Sequence, residues 1–337
     1  MNSNNKIDSN LESMVKALPG PIAIFGAGGF IGINLLNLLL KFRNDVYGIS
    51  QDHLNNWRFI ANKIQQINIL TVDILQQNQI LNFINEIKPQ TIFNLAAYGA
   101  YSKQNEYDKI YQTNFVASID LIEVAKKQGF KAFVQAGSSS EYGINSQQPS
   151  ENDTLLPNSH YAVSKAALYQ AIKYYGKIEK LPITNLRLYS VYGPWEEPDR
   201  LLPVVISKAR KGEFPALVNP QVSRDFIYID DVLKAFIMAA LKINSLSGEA
   251  LNIGSGKKTT ILVLANTIKE IYKIKSNPNF GIMPNRKWDL TDWYSNPSKA
   301  ENLLNWHAEI PLKDGIQKVG KWQENIDFDN AYWNYAK

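Results

Sequence analysis

Apolar residues follow two alternating patterns along the first half of the chain. Short runs that are apolar nearly throughout predict strands buried on both faces; they are residues 21–28, 45–50, 67–74, 91–97 and 132–138. Segments with apolar residues at i, i+3 and i+4 predict the helices between them, at residues 30–42, 75–87, 106–128 and 161–177. Such regular alternation predicts an α/β fold built on a doubly wound parallel sheet.

The alternation ends after residue 188, where five prolines between 194 and 220 interrupt the chain. We therefore divide the chain into a first lobe, residues 1–188, and a smaller mixed α/β lobe, residues 189–330. The second lobe is expected to lie over the carboxyl edge of the sheet and to bind substrate. Strand and helix patterns return within residues 225–260, so this part is expected to rejoin the first lobe.

A glycine-rich turn, GAGGFIG, follows the first predicted strand and opens the first predicted helix. Its glycines are spaced as Gly26, Gly29 and Gly32, because the more usual G-x-G-x-x-G spacing would need a glycine where Ile31 stands. Glycines at such a turn let the backbone approach a pyrophosphate at a helix N-terminus. The turn predicts dinucleotide binding; the alternative is a strand–helix turn without a ligand.

The choice between NAD and NADP depends on the end of the second strand. An acidic residue there would hold the ribose 2′-hydroxyl of NAD, but this chain has Ser50, Gln51 and then Asp52. Three cations nearby in the sequence could meet a 2′-phosphate: Arg43, His53 and Arg58. These observations favour NADP slightly, unless the charges merely face solvent.

Asp73 and Ile74 end the third predicted strand. They could present hydrogen-bonding groups to the edge of an adenine ring. Alternatively, Asp73 caps the helix that follows.

Composition narrows the function classes. The chain has no cysteine, which excludes disulfides, thiolate metal sites and a cysteine nucleophile. We expect no metal site. The net charge of +5 comes from scattered Lys and Arg, which favours a solvated surface and an anionic small molecule over nucleic acid. Residues 1–20 lack the apolar stretch of a signal peptide, and no apolar run is long enough for a membrane helix, so a cytoplasmic protein is expected.

Tyr161 and Lys165 stand four residues apart at the start of a predicted helix, on one helical face. A neighbouring cation stabilises phenolate, which makes tyrosine a usable acid or base. Ser138 lies at a strand end, where ligands of open α/β sheets bind, and its hydroxyl could contact the same substrate oxygen. A Tyr-x-x-x-Lys pair alone is common on helix surfaces, but together with the serine and the glycine turn it predicts catalysis.

With these features the chain resembles the extended short-chain dehydrogenase/reductases that epimerise, dehydrate or reduce nucleotide-activated sugars. The ordered motifs that carry the resemblance are GAGGFIG (26–32), VDI (72–74), NLAA (94–97), TN (113–114), GSSSEYG (137–143), YAVSK (161–165), LRLYSVYGP (186–194), RDFIYIDD (224–231), NIGSG (252–256) and an R…D…SKA…LNW segment (286–306). The resemblance implies a Rossmann-type fold, an NAD(P) cofactor and a nucleotide-diphosphate sugar as substrate.

The resemblance also implies roles for individual residues. Ser138, Tyr161 and Lys165 would form the catalytic triad, and Asn114 would support a water-linked proton relay from the lysine. The cofactor site would comprise Gly26, Gly29, Phe30, Ile31, Gly32, Ser50, Asp73, Ile74, Leu95, Ala96 and Ala97, with Tyr161 and Lys165. The substrate would contact Ser139, Tyr189, Ser190, Arg224 and Arg286.

The resemblance implies more about three of these substrate positions, Arg224, Arg286 and Ser190. Arg224 and Arg286 match positions that grip a diphosphate, although Arg224 could instead pair with Asp225 or Asp230. Many relatives have Asn where this chain has Ser190, and a Gly-Asp-Gly turn where it reads LVNPQVS before Arg224. Contacts to the sugar and to the nucleotide base therefore differ from those relatives.

The reaction depends on the residues after Ser138. Dehydratases of this family carry acids at the next two positions, where this chain has Ser139 and Ser140. Glu141 comes one place later, and since side chains alternate along a strand, it is expected to point away from the sugar and to be structural. The sequence thus favours a 4-keto reductase of a 6-deoxy nucleotide sugar, with a C4 epimerase as the alternative. A dehydratase and a non-catalytic dinucleotide-binding protein are further alternatives.

The predicted helices at residues 106–128 and 161–177 resemble those that pair into a four-helix interface in this family. A homodimer is therefore expected.

Overall fold

A computed structural model of the chain describes residues 2–62, 68–101, 103–283 and 290–326. Its strands are β1 (Ile22–Phe25), β2 (Val46–Ser50), β3 (Ile69–Thr71), β4 (Thr91–Asn94), β5 (Ala132–Ser138), β6 (Ile183–Leu188), β7 (Ser190–Tyr192), β8 (Ser223–Arg224), β9 (Phe226–Tyr228), β10 (Ala250–Ile253) and β11 (Thr259–Thr260).

The helices are α1 (Asn2–Ala17), α2 (Phe30–Leu40), α3 (Trp57–Asn62), α4 (Gln77–Ile87), α5 (Tyr107–Tyr111), α6 (Ala117–Gln128), α7 (His160–Lys177), α8 (Leu201–Arg210), α9 (Ile229–Leu241), α10 (Ile261–Tyr272), α11 (Ser298–Leu304) and α12 (Leu312–Asn325). A π-helical turn, Gln112–Val116, joins α5 to α6, and a short 3₁₀ helix, Ser139–Tyr142, follows β5.

Seven parallel strands form the main sheet, in the order β10-β6-β5-β4-β1-β2-β3. Alternate residues of β1 enter different cores: Ile22 and Ile24 pack in one, and Ala23 and Phe25 in the other. Because both faces are covered, strands such as β4, β5 and β6 are buried along their whole length, and most of their residues are apolar, as is usual for parallel strands. The sheet confirms the predicted α/β class.

The order of the strands reverses between β1 and β4, which pair with each other. In open α/β sheets such a switch point leaves a crevice beyond the carboxyl ends of the strands, where ligands bind. The glycine turn follows β1 directly, and Leu95 follows β4. The fold therefore brings the predicted cofactor residues to one crevice.

After β6 the chain leaves the main sheet and builds two small sheets, a parallel β7–β9 pair and an antiparallel β8–β11 pair. Apolar residues of α8, α10 and α12, among them Val205, Leu264 and Ile316, join one of the two cores of the main sheet. β10 returns to the main sheet beside β6. Within the described residues, no helix has both the length and the apolar character needed to cross a membrane.

Candidate active site

Gly26 and Gly32 let the backbone turn tightly between β1 and α2. Gly26 has φ +78°, and a Cβ added there would lie 2.6 Å from the backbone nitrogen of Ala96. A Cβ at Gly32 would lie 2.2 Å from the carbonyl oxygen of Gly26. Neither position has room for a side chain, so the sequence needs glycine at both. The close approach to Ala96 also places the turn against the end of β4.

The N-terminus of α2 begins at this turn. Gly29 is the N-cap residue and has extended backbone angles, and in the described structure no side chain caps the helix there. The first amides of a helix have no partner inside the helix and attract anions. The turn, the exposed Gly29 and the adjacent Phe30 and Ile31 therefore fit a dinucleotide pyrophosphate.

Polar groups beyond β2 and β3 lie at the same edge of the sheet. Ser50 Oγ donates a hydrogen bond to the Asp52 carbonyl, 3.3 Å away. The Asp73 carboxylate accepts from the Leu75 amide at 3.0 Å and from Gln51 Nε2 at 3.5 Å. Asp73 thus stabilises the turn before α4. This role is similar to the helix cap that the sequence offered as the alternative, although the N-cap residue of α4 is Gln76. The predicted contacts of Ser50, Asp73 and Ile74 with the cofactor stay predictions.

Two of the three cations that favoured NADP serve other purposes. Arg43 precedes β2, at the opposite edge of the sheet, and its guanidinium pairs with Asp45 at 2.6 Å. Arg58 is buried and donates to the Gly28 carbonyl and to Glu197. His53 contacts the Thr71 hydroxyl. Arg43 is therefore too far from Ser50 to meet a 2′-phosphate, and the guanidinium of Arg58 is already committed to the glycine turn and to Glu197.

Ser138 and Tyr161 come together at the carboxyl end of β5. Burial raises the pKa of Tyr161 to about 12, and the neighbouring Ser138 side chain acts in the opposite direction and lowers it. Helix α7 begins one residue before Tyr161, where the Ser159 side chain accepts from the Ala162 amide at 3.2 Å. This cap fixes the first turn of α7 and so fixes the direction of Tyr161.

Lys165 lies one turn further along α7 and is 2% exposed. Its Nζ donates to the Ala136 carbonyl at 3.0 Å and lies 5.9 Å from the centre of the Tyr161 ring. Burial lowers the pKa of Lys165 to about 8. The ammonium is therefore close enough to stabilise a phenolate, and it can lose its proton under mildly basic conditions.

The low pKa of Lys165 predicts that replacing it stabilises the protein. Lowering the pKa from 10.5 to about 8 corresponds to a penalty on the order of 3 kcal/mol for the charged group at neutral pH. Because the folded protein binds fewer protons than the unfolded chain between these values, this penalty shrinks as pH rises from 8 to 10.5. Lys165→Met should therefore raise Tm at pH 7 while abolishing turnover, and the gain should fade above pH 9.

The exposed Lys173, on the same helix, provides the matched control. Lys173→Met should change Tm little and by the same amount at both pH values, and it should leave turnover intact. A Lys165→Met protein that is less stable than wild type at pH 7 would contradict the prediction. Thermal unfolding followed by circular dichroism at pH 7 and pH 10 measures both.

Asn114 is buried within the π-helical turn. Its side chain accepts from the Tyr98 amide at 2.8 Å and donates to the Tyr98 carbonyl at 2.8 Å and to Ser164 Oγ at 3.0 Å. π-helical turns often mark functional sites. The side chain thus fixes the segment after β4 against α7, next to Lys165. Its predicted part in a proton relay stays a prediction, because its described side-chain bonds go to Tyr98 and Ser164.

Glu141 is buried beneath the site rather than facing it. Ser138 caps the 3₁₀ helix, and Glu141 Oε1 accepts from the Ser138 amide at 3.0 Å. Its Oε2 accepts from Arg187 Nε at 2.7 Å, and both side chains are 0% exposed. The segment is a helical turn and not an extended strand, so strand alternation is the wrong physical reason for the direction of Glu141. The carboxylate is committed to an internal ion pair.

Trp293, which the sequence did not point to, contacts Ser139, the residue that follows β5. Its Nε1 donates to Ser139 Oγ at 3.1 Å, and the guanidinium carbon of Arg224 lies 5.1 Å from the centre of its ring. Arg224 and Ser139, two predicted substrate residues that are far apart in the sequence, therefore share one partner. No spacing in the sequence could have linked Trp293 to them.

Other predicted substrate residues have defined surroundings. Tyr189 is buried, and its hydroxyl has no hydrogen-bond partner among the described residues. The Ser190 amide donates to the Asp225 carbonyl at 2.9 Å. The Asp225 carboxylate itself accepts from Ser255, Gly256 and Ser295, so it serves to hold two loops. Arg286 lies outside the described residues.

A second group that the sequence did not reveal follows β7. Glu196 is buried, burial raises its pKa to about 8, and its Oε1 lies 3.8 Å from Arg200 Nε. The guanidinium of Arg200 lies 5.3 Å from the centre of the Tyr101 ring, and its charge also acts on Tyr161. Among the described residues, no group of three or more His, Asp or Glu side chains is arranged to hold a metal ion.

Comparison with known proteins agrees with this geometry. The sequence model of the NAD dependent epimerase/dehydratase family matches residues 22–254. UDP-glucuronate 4-epimerase 3 of Arabidopsis thaliana is 27% identical, over 89% of this chain and 76% of that protein. The uncharacterized UDP-glucose epimerase YtcB of Bacillus subtilis is 30% identical, over 88% of this chain and 95% of that protein.

A solved structure extends the similarity to three dimensions. The UDP-glucuronic acid 4-epimerase of Bacillus cereus, crystallised with UDP-glucuronic acid and NAD, superposes with a TM-score of 0.79. It is 25% identical and covers 90% of this chain and 99% of its own. The family match spans well over half of the chain and contains the glycine turn, Ser138, Tyr161 and Lys165. The chain therefore belongs to the NAD-dependent epimerase/dehydratase family, whose members are nucleotide-sugar enzymes.

Proposed function

We propose that this protein is an NAD-dependent 4-epimerase of a UDP-sugar. The observation that carries the proposal is the combination of a Ser138–Tyr161–Lys165 site with relatives named as 4-epimerases along nearly the whole chain. The relatives favour this alternative over the 4-keto reductase that the sequence suggested first.

Tyr161 carries the proton in this proposal. Its phenolic oxygen would accept the proton of the sugar's C4 hydroxyl and later return it to the C4 oxygen. Ser138, whose side chain acts on the phenol of Tyr161, would orient the same oxygen. Lys165 would stabilise the negative charge that develops on the Tyr161 phenolate, since the Lys165 Nζ lies 5.9 Å from the centre of the Tyr161 ring. A bound NAD would supply the nicotinamide ring as the hydride acceptor, and later the hydride donor, for C4 of the sugar.

Dehydration at C5 and C6 needs an acid that reaches the sugar, and the three side chains after Ser138 do not supply one. Ser139 and Ser140 are hydroxyls, and Ser139 accepts a hydrogen bond from Trp293. Glu141 is paired with Arg187 in the core. These contacts support epimerisation over dehydration.

NAD rather than NADP is part of the proposal. The solved relative holds NAD. In this chain Arg43 pairs with Asp45 at the opposite edge of the sheet, and the donors of Arg58 are engaged by Gly28, Trp195 and Glu197. A 2′-phosphate would find both guanidinium groups occupied and would lose the charge-assisted bonds on which NADP enzymes rely. We therefore expect NAD to bind more tightly than NADP.

The predicted homodimer is also part of the proposal. The helices predicted to pair, α5–α6 and α7, leave apolar side chains exposed, including Tyr107, Val116 and Val163. A second copy of the chain would cover them. Light scattering of the purified protein measures the oligomeric state, and a monomer would overturn this part alone.

The test is an incubation of the purified protein with single UDP-sugars. We expect UDP-glucose or UDP-glucuronate to be converted to its C4 epimer, which NMR identifies. The product should have the same molecular mass as the substrate, and no NAD or NADH should be consumed overall. A 4-keto reductase would instead consume one NADPH for each 4-keto sugar reduced. Stoichiometric consumption of this kind, with no epimer from any UDP-sugar, would overturn the epimerase proposal in favour of the reductase.

A further inference from the structure

Arg58, at the start of α3, ties the glycine turn to the second lobe. The side chain is 4% exposed, and its Nη1 donates to the Gly28 carbonyl at 3.2 Å. Its Nε donates to the Trp195 carbonyl at 2.9 Å, and its Nη2 to Glu197 Oε1 at 2.9 Å. One buried guanidinium therefore joins three acceptors from two separate segments, the turn at residues 26–32 and the loop at residues 193–199.

Neighbouring contacts reinforce both sides of this junction. Asn56 Nδ2 also donates to the Gly28 carbonyl, at 3.1 Å, so two side chains fix the same peptide of the glycine turn. On the other side, Asn34 of α2 donates to the Pro194 carbonyl at 2.9 Å. The loop is thus bonded to the glycine turn through Arg58 and directly to the helix that follows the turn.

Trp195 shows that the loop is held firmly in this position. It has φ +68°, a left-handed conformation that is costly for a bulky residue and persists only when its surroundings enforce it. Its ring lies 5.8 Å from the Trp57 ring and 5.0 Å from the Trp322 ring, measured between centres. Arg58 also stacks on Trp57 at 4.4 Å. The aromatic packing and the Arg58 bond act on the same residue.

An epimerase must keep its dinucleotide between the two half-reactions, because each hydride removed from the sugar is returned to it. We propose that Arg58 is a retention residue for the dinucleotide: it fastens the loop at residues 193–199 against the glycine turn and slows release of the bound cofactor. This inference rests on the proposed function, since it needs NAD at the glycine turn. Arg58 acts through the turn and the loop, and it is a positioning residue rather than a catalytic one.

The experiment measures NAD release from Arg58→Gln, Arg58→Lys and wild-type protein. Bound NAD is quantified after denaturation, and its dissociation rate is followed by exchange with labelled NAD. We expect Arg58→Gln to release NAD at least about tenfold faster, because charge-assisted bonds to Gly28, Trp195 and Glu197 are lost together. Arg58→Lys, which keeps the charge but not the fork, should give an intermediate rate.

Arg43→Gln is the matched control. Arg43 also donates to a carboxylate and to backbone carbonyls, those of Asp45 and of residues at the end of α1, but at the opposite edge of the sheet. The Arg43→Gln substitution should lower Tm without changing the NAD dissociation rate. For Arg58→Gln the rise of Tm caused by saturating NAD should shrink, whereas a merely structural role would lower Tm equally with and without NAD.

The outcomes separate the two proposals. A wild-type protein that binds NAD, together with an Arg58→Gln variant that releases it at the wild-type rate, would overturn the retention role and leave the epimerase proposal standing. A wild-type protein that retains NAD but has no epimerase activity would leave the retention role standing. A wild-type protein that does not bind NAD would overturn both.

Discussion

Replacement of Tyr161 by phenylalanine should lower kcat of the purified protein by about 10³-fold or more, with the fold intact. The change removes only the phenolic oxygen, on which the Ser138 side chain acts. Positioned acid or base groups contribute about 10²–10⁴-fold to rates, and within the described site Tyr161 is the group that we assign to the proton of the C4 hydroxyl. Volume is nearly unchanged, so the stability of the protein should change little.

Tyr175→Phe is the control for this prediction. Tyr175 lies on the same helix, is buried, and donates a hydrogen bond to Glu123 at 2.7 Å, away from Ser138 and Lys165. Its replacement also removes one phenolic oxygen from α7 and should leave kcat close to the wild-type value. Both variants are compared by their rates with the same UDP-sugar and by their thermal unfolding. A Tyr161→Phe protein that keeps more than about a tenth of wild-type kcat would exclude Tyr161 as the acid or base.

Three of the site residues that the sequence could predict lie at the end of a strand or on the first turn of a helix. Gly26, Ser138 and Tyr161 are far apart in the chain, but parallel strands bring their carboxyl ends to a common edge. Periodicity predicted those strands, and hence the edge. Fold class and the meeting of Ser138 with Tyr161 therefore followed from local patterns alone.

The contacts between the two lobes could not be predicted in this way. Arg58 and Trp195 are 137 positions apart, and Ser139 and Trp293 are 154 positions apart. Both pairs join the first lobe to irregular loops of the second, where neither a helical nor a strand period constrains direction. Arg43 illustrates the same limit, since it is near Ser50 in sequence but pairs with Asp45 at the opposite edge of the sheet.

The Glu141 side chain is buried in the core, away from the site, but for a different reason from the one that the sequence pattern indicated. Strand alternation predicted that it points away from the sugar, but the residues after Ser138 form a helical turn. The turn is closed by a capping box, in which Ser138 accepts from the backbone and Glu141 accepts from the Ser138 amide. The direction of Glu141 therefore depends on a cap and on Arg187, 46 positions away.

Because this ion pair is fully buried, Glu141→Ala should destabilise the protein by about 3–5 kcal/mol. The substitution leaves the Arg187 guanidinium without its carboxylate, and it removes the acceptor of the Ser138 amide and of Asn185 Nδ2. Glu141→Gln keeps the side-chain volume and an acceptor for these two donors but loses the charge. Its free energy of unfolding should therefore lie between those of wild type and Glu141→Ala. Urea denaturation followed by tryptophan fluorescence measures the difference.

Removal of both charges tests whether the pair is structural. In Glu141→Gln/Arg187→Met no unpaired charge remains, so the double variant should be more stable than Glu141→Gln alone. Activity provides the decisive comparison. If Glu141 is structural, the folded fraction of Glu141→Gln should keep kcat within a few-fold of wild type when assayed below its unfolding transition. A variant with wild-type stability and a kcat at least about 100-fold lower would instead make Glu141 a proton donor in the reaction, and the dehydratase alternative would then replace the epimerase.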